Sequence, residues 1–455
     1  MTFLKKKHSA FRPSRVLAIG FLGMILLGAV LLWLPFSTRD GVALTPLDAL
    51  FTATSAVCVT GLTVVDTAGT YSLTGQLIII LLIQLGGLGF MLFATSVLVL
   101  ARRRISLRNR VLLHETMSMP GLSGAVRTAL RFMGIVFVVE LAGALVLSSQ
   151  FIPRYGVWTG IYYGFFHAVS AFCNAGFDLF GAAGSLRQFQ QNPLVLSTIS
   201  LLIIIGGLGF AVVADLADHG FRLRKTSLHT RIVLVTTILL LVSGTVFFAA
   251  MEWNNPRTLA FEGAGAFDKL NNAWFQSTTT RTAGFSSFEQ NGMRDGSLIV
   301  SAILMFIGAS PASTGGGIKT TTIFVLAVLI RSVFYGNSDV NAFRRRLPLA
   351  VIRTALSIFV INFVLLMLGA VFLSLSEEGR GFRMLDLIYE QVSALATVGL
   401  SSLGTGRLSQ PSRMWLIVLM YLGRVGPLTM MLSFSSRFAN QAQGIRYAEE
   451  QIIVG

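Results

Sequence analysis

Apolar residues fall in blocks of about 20, the length that carries a helix across roughly 30 Å of hydrocarbon. The blocks lie at 16–34, 77–100, 132–147, 194–213, 232–250, 299–307 (resuming at 323–330), 355–373 and 415–432. Read as eight crossings, an even number, they put both termini on the same side. Between paired blocks stand Asp48, Tyr163, Asn271 and Asp386, each followed by about ten helix-compatible residues. Three of these four are good helix N-caps. The helices they predict are roughly 15 Å long, too short to span a bilayer, so each dips in and returns.

Each dip ends in a similar stretch: SAVCVTGL at 55–62, SAFCNAGF at 170–177, TTTRTAGF at 278–285 and SALATVGL at 393–400. A hydroxyl residue stands six positions before a glycine in every one. The glycines Gly61, Gly176, Gly284 and Gly399 are 115, 108 and 115 residues apart. A period of this kind marks internal repeats. The expected fold is an all-α polytopic membrane protein of four M1–P-loop–M2 repeats, with eight transmembrane helices and four re-entrant pore helices in pseudo-fourfold array around one pore. The repeats occupy 1–120, 121–228, 229–346 (its second crossing interrupted) and 347–455, the last ending in a cytoplasmic tail. GGLGF at 86–90 recurs at 206–210, with Gly308 and Gly423 at comparable offsets. These glycines either let helices pack closely or line the pore, and the pattern leaves both open.

Composition agrees with a membrane protein: 53% hydrophobic, 12% charged and a mean hydropathy of +0.71, against about a quarter charged in soluble domains. The net charge of +16 raises nucleic-acid binding, but the basic runs at 5–7, 102–104, 222–225 and 344–346 recur in every second connection. That is the distribution of cytoplasmic loops, and aromatic residues are not interleaved with it as a nucleic-acid surface requires. No nucleic-acid partner is expected; membrane lipid is. Block 16–34 is too long for a signal-peptide core. The two cysteines, Cys58 and Cys173, form no disulfide framework and suit small packing positions better than redox switches. His114, His167, His219 and His229 are scattered without ligand spacing.

Non-helical backbone at membrane depth is tolerated where protein buries it or water lines it. Four such loops around one axis bring their carbonyls onto a shared path, and carbonyl rings replace a cation's hydration shell. The short helices aim their negative dipole ends at the same place. The expected ion-binding stretches are Cys58, Val59, Thr60 and Gly61; Cys173, Asn174, Ala175 and Gly176; Arg281, Thr282, Ala283 and Gly284; and Ala396, Thr397, Val398 and Gly399. The cation would be held by their backbone carbonyls only, with the Arg281 side chain turned away into its loop. Within the third repeat's second crossing, Gly308, Ala309, Ser310, Pro311, Ala312, Ser313, Thr314, Gly315, Gly316, Gly317 and Lys319 cannot hold a straight helix. An ordinary connecting loop there would break the repeat, so a loop lying in the pore beneath the filter is expected. Arg424 stands mid-way through the last crossing, where an arginine faces a cavity or a partner. Its role is either a charge barrier in the pore or a salt bridge or carbonyl clamp that holds the fold.

TATSAVCVTGLTVVDT (52–67), FHAVSAFCNAGF (166–177), TRTAGF (280–285) and GRVGPLT (423–429) resemble the membrane subunit of Ktr-type bacterial potassium uptake systems, in the Trk/Ktr/HKT superfamily. The resemblance covers nearly the whole chain. The short N-terminus looks Ktr-like rather than Trk-like. The resemblance implies potassium uptake through one pore per subunit, a homodimer and a cytosolic nucleotide-binding regulatory ring of RCK type. It also implies sodium-linked transport, the 308–319 loop as gate, Arg424 as barrier and the four glycines as selectivity determinants. A serine at the first glycine would go with sodium preference; all four are glycine here. The expected location is the bacterial plasma membrane with both termini cytoplasmic. Potassium, with sodium as a further candidate, is the transported ion, and no cofactor is expected on this chain. No nucleophile–base set, HExxH or phosphate-binding motif supports an enzyme. A broken-helix symporter of a small organic solute is the alternative, disfavoured by four parallel repeats, and a pump's potassium subunit would be longer.

Overall fold

The computed structural model describes residues 13–89, 125–181, 184–219, 225–337 and 339–426. The basic runs at 5–7 and 102–104, most of that at 222–225, His114 and the tail beyond 426 lie outside them. The principal helices are α1 (Pro13–Trp33), α2 (Pro46–Val57), α3 (Leu73–Leu88), α4 (Ala125–Tyr155), α5 (Val157–Phe172), α6 (Pro193–Leu208), α7 (Phe210–His219), α8 (Leu228–Glu252), α9 (Ala266–Thr279), α10 (Asp295–Phe306), α11 (Thr320–Phe334), α12 (Leu349–Ser376), α13 (Met384–Leu395) and α14 (Gln410–Val425). A hairpin of two-residue strands, Asn341–Ala342 against Arg345–Arg346, joins α11 to α12.

Four of the eight expected crossings are single long apolar helices, α1, α4, α8 and α12. Their outward faces carry exposed Leu, Val, Ile and Phe, as lipid contact requires. The other four stop early. Helices α3, α6 and α14 hold 16 residues each and α10 holds 12, which at 1.5 Å per residue falls short of the hydrocarbon thickness. An unbroken crossing at 194–213 is therefore wrong: α6 ends at Gly209 (φ 93°) and the chain turns through 97° into α7. Helices α3 and α14 end likewise at Gly89 (φ 81°) and Gly426 (φ 90°). The remainders of blocks 77–100 and 415–432 lie outside the described residues.

The short helices also start earlier than expected. Asp48 and Asp386 are third residues of α2 and α13 rather than N-caps, as is Asp268 in α9. A carboxylate there favours the positive end of the dipole, and Asp268 Oδ2 accepts from the N–H of Gly265 at 3.0 Å as half of a capping box. Tyr163 and Asn271 fall inside α5 and α9.

Helix neighbours run in a cycle. α2 packs on α1, α5 on α4, α9 on α8 and α13 on α12. α3 then reaches α5, α6 reaches α9, α10 reaches α13, and α14 returns to α2. Each half-length helix is tied at its start to the end of the preceding long helix. Ser72 N–H donates to the Ser37 carbonyl at 3.0 Å, and Asn192 Nδ2 to Gln150 Oε1 at 3.1 Å. The N–H groups of Arg294 and Ser409 donate to the buried carboxylates of Glu252 (2.9 Å) and Glu377 (2.8 Å). The cycle is latched between the last and first elements, where Arg413 Nη1 meets Asp48 Oδ1 at 3.0 Å in a largely buried pair. Arg413→Ala removes this latch and leaves Asp48 without its cation. Thermal unfolding in detergent should show a loss of about 1.5–3 kcal/mol, the worth of a hydrogen bond to a charged group; an unchanged melting temperature would show that the ring closes without it.

Candidate functional site

The C-terminal ends of α2, α5, α9 and α13 are followed by loops whose backbones repeat one another. Val59 (φ 54°), Asn174 (φ 58°), Thr282 (φ 67°) and Thr397 (φ 51°) all take positive φ, and so does the glycine two residues on: Gly61, Gly176, Gly284 and Gly399. Positive φ is rare for a β-branched residue, and its strain persists only where surroundings enforce it. Part of that enforcement is visible. The N–H groups of Thr60, Ala175 and Val398 donate to the carbonyls of Ser55, Ser170 and Ser393 at 2.7–2.8 Å. Ser55 and Ser393 Oγ also accept from the N–H of Gly61 and Gly399 at 3.0 Å. Thus the hydroxyl six residues before the glycine folds its own loop. In the other two loops the hydroxyl donates instead, Ser170 to the Phe177 carbonyl at 2.8 Å and Thr279, one residue past Thr278, to that of Phe285 at 2.5 Å.

The four glycines touch in a closed ring. A Cβ on Gly61 would strike the Ala175 carbonyl oxygen. One on Gly176 would sit 2.6 Å from that of Ala283, one on Gly284 2.6 Å from that of Val398, and one on Gly399 would strike that of Thr60. Every position therefore requires glycine for close approach as well as for φ. Each of the four expected stretches contributes, and the ring faces a cavity of about 280 Å³ lined also by Asp66 and Asp178.

On the other side of the ring, the segment between α10 and α11 is folded and buried. Ala309 N–H bonds the Gly316 carbonyl at 3.2 Å, Ser310 N–H that of Gly207 at 3.1 Å, and Thr314 N–H that of Gly206 at 3.3 Å. Ser313 Oγ bonds the Ser310 carbonyl at 2.7 Å, Lys319 Nζ the Gly315 carbonyl at 2.7 Å, and the Ala312 carbonyl accepts from Phe210 N–H at 2.8 Å. Pro311 lies against Gly209, and Gly308 packs on Gly316 and Gly317. Gly315 and Gly316 press on the hydroxyls of Thr282 and Thr397, so the segment lies directly under two of the four loops. Arg424 reaches into the same place. Its guanidinium donates to the carbonyls of Thr314, Gly86 and Gly87, the last at 2.9 Å. Three carbonyls on one guanidinium have the geometry of a clamp, one of the two roles the sequence leaves open. Arg281 is buried two residues past the end of α9, and Cys58 and Cys173 are buried free thiols.

Of the two roles the sequence leaves open for the glycines of the half-length helices, the geometry shows close packing, against partners the sequence does not name. A Cβ on Gly86, Gly206 or Gly423 would run into the carbonyl of Val57, Phe172 or Leu395, the last residues of α2, α5 and α13. These helices thus lie against the negative ends of the short ones. Gly308, at the comparable offset in the third repeat, packs on the inserted segment instead. The repeated Gly-Gly-x-Gly contained the signal, its last glycine supplying the positive φ at which α3 and α6 end.

Long apolar helices with lipid-facing sides, packed on buried short ones, define a multi-pass membrane protein. Comparison with known proteins gives the family. The profile described as "TrkH: Cation transport protein" matches residues 17–442. The chain is 39% identical to the potassium/sodium uptake protein NtpJ of Enterococcus hirae, covering all of both chains. It is 38% identical to the Ktr system potassium uptake protein B of Bacillus subtilis, over 99% of this chain and 98% of that one. The crystal structure of the potassium transporter TrkH from Vibrio parahaemolyticus superposes with a TM-score of 0.73 at 18% identity, covering 94% of this chain and 86% of the other. The chain belongs to the TrkH family of cation transport proteins; it is a transporter and not an enzyme.

Packing at the half-length helices is directly testable. Gly86→Ala, Gly206→Ala and Gly423→Ala each force a methyl into a backbone carbonyl and should destabilise the protein by about 1–3 kcal/mol, the cost of overpacking. Gly23→Ala, with open space around it, should be neutral or gain about 0.4–1 kcal/mol. Melting curves in detergent separate the two sets, and equal melting temperatures would refute the packing role.

Proposed function

We propose that this chain is the pore subunit of a bacterial potassium uptake system, passing potassium across the plasma membrane through the ring at Gly61, Gly176, Gly284 and Gly399. The observation that carries this is the cyclic contact of four loops with one backbone conformation. Carbonyls gathered at the negative ends of four short helices stabilise a dehydrated monovalent cation without a fixed carboxylate. In this reading the chain is four M1–P-loop–M2 repeats around one pore. α1, α4, α8 and α12 are the first crossings, and the half-length helices with their continuations are the second.

Segment 308–319 is the gate in this proposal, and Arg424 its latch as well as a positive barrier beneath the filter. The three carbonyls on Arg424 support the latch, since freeing the segment requires breaking its bond to Thr314. Relatives named as components of Ktr systems support a partner, which we take to be a cytosolic RCK-type nucleotide-binding ring acting on a homodimer of this chain. The Enterococcus relative is named a potassium/sodium uptake protein, which supports sodium linkage. The basic runs in alternate connections support cytoplasmic termini. A symporter of an organic solute would not need four equivalent glycine contacts.

The test is rescue of a potassium-uptake-deficient bacterium at low potassium, with the ring partner coexpressed. Wild type should restore growth, and Gly61→Ser and Gly399→Ser should lose preference for potassium over sodium. Asp178 lines the cavity that the ring faces, so Asp178→Asn should lower the initial rate of potassium uptake, and an unchanged rate would show that this carboxylate takes no part. A wild type that moves no potassium, rubidium or sodium would overturn the pore reading.

A further inference from the structure

We infer that a buried relay of three side chains, Glu140, Gln84 and Cys173, sets the position of the second filter loop, so that Glu140 and Gln84 are positioning residues for ion discrimination; this rests on the pore reading above. Glu140 lies inside the long apolar helix α4 and is 3% exposed. A carboxyl at membrane depth is costly and marks a site with a task. Its two oxygens each stand 3.1 Å from Gln84 Nε2 on α3. The other end of that amide, Oε1, accepts from the Cys173 thiol at 3.3 Å. Cys173 caps α5 and lies three residues before Gly176.

The order of these groups gives the relay a direction. An amide can present either end to a neighbour, and in a buried site the wrong end costs an unmade hydrogen bond. Glu140 supplies acceptor oxygens, so Gln84 must turn its NH₂ toward α4 and its carbonyl toward Cys173. Gly87 on the same helix leaves room for the contact, because a Cβ there would sit 2.8 Å from Cys173 Sγ. From Cys173 the path is short. Asn174 holds the strained positive φ, Ala175 N–H is bonded to the Ser170 carbonyl at 2.7 Å, and the Ala175 carbonyl oxygen lies against Gly61 in the ring. A displaced Cys173 therefore moves a carbonyl of the ring itself. A leucine at 140 would fill the same apolar space but leave the amide free to turn.

The experiment measures initial potassium and sodium uptake in the same deficient cells, with membrane abundance from immunoblots. The variants are Gln84→Leu, Glu140→Leu, Glu140→Gln and Cys173→Ala. We expect both leucine variants and Cys173→Ala to shift the sodium-to-potassium ratio by roughly two- to tenfold, the range set by the net worth of one hydrogen bond. Glu140→Gln keeps an oxygen that accepts from Gln84 and should keep the wild-type ratio. A purely structural role would lower both uptakes in proportion and leave the ratio alone, and that result overturns the inference. So does a Glu140→Gln variant as altered as Glu140→Leu. If the leucine variants do not reach the membrane, Cys173→Ala decides on the same readout, and a wild-type ratio there overturns the relay. Wild type that transports neither ion fails the pore reading instead, which the same assay distinguishes.

Discussion

Four backbones meeting at one point is the constraint on which the rest of this structure depends. The Cα of each of Gly61, Gly176, Gly284 and Gly399 lies so near the next loop that any Cβ would collide with a main-chain carbonyl oxygen or the neighbouring glycine. Such an approach sets a main-chain carbonyl oxygen of one loop against the glycine of the next all the way round; in the function proposed above, a cation offsets the repulsion among those dipoles. The surrounding parts hold the ring in place. Hydroxyls from the short helices bond the loops behind them, strained positive φ angles are locked at the residues two before each glycine, and Asp48, Asp268 and Asp386 stabilise the opposite ends of three of the short helices.

The second layer of the architecture is a set of short-circuited crossings. Helices α3, α6 and α14 press glycines onto the last carbonyls of the short helices and then stop at a glycine of positive φ. In the third repeat this arrangement is replaced by the inserted segment, which bonds to Gly206, Gly207 and Arg424 and lies on Thr282 and Thr397. This difference among the four half-length helices places a distinct element under the ring, held by hydrogen bonds from backbone groups. An element held this way costs less to open than a packed helix, which is why the proposal above makes it the gate.

Much of this was legible in the sequence because membranes impose simple periodicities. The 20-residue blocks gave α1, α4, α8 and α12, and the four hydroxyl-x5-glycine stretches located the loops that meet. What the sequence concealed has physical causes. Apolar content does not report a turn at Gly209, since both arms of the bend stay apolar and a single glycine is tolerated inside helices. Asp48 and Asp386 were misplaced by three residues because aspartate serves both as a cap and as a third-position dipole partner. Arg424 was seen, but its three carbonyl partners come from segments over a hundred residues away. Glu140 and Gln84 left no motif, because a relay across three helices has no spacing in the chain.

The central claim is that the ring is where the cation binds. Anomalous diffraction from crystals of the purified protein grown in rubidium tests it without relying on transport. The account predicts a rubidium peak on the axis of the four loops, within coordination distance of the carbonyls around Gly61, Gly176, Gly284 and Gly399. Rubidium bound elsewhere, with the four loops in contact and no peak between them, would contradict it.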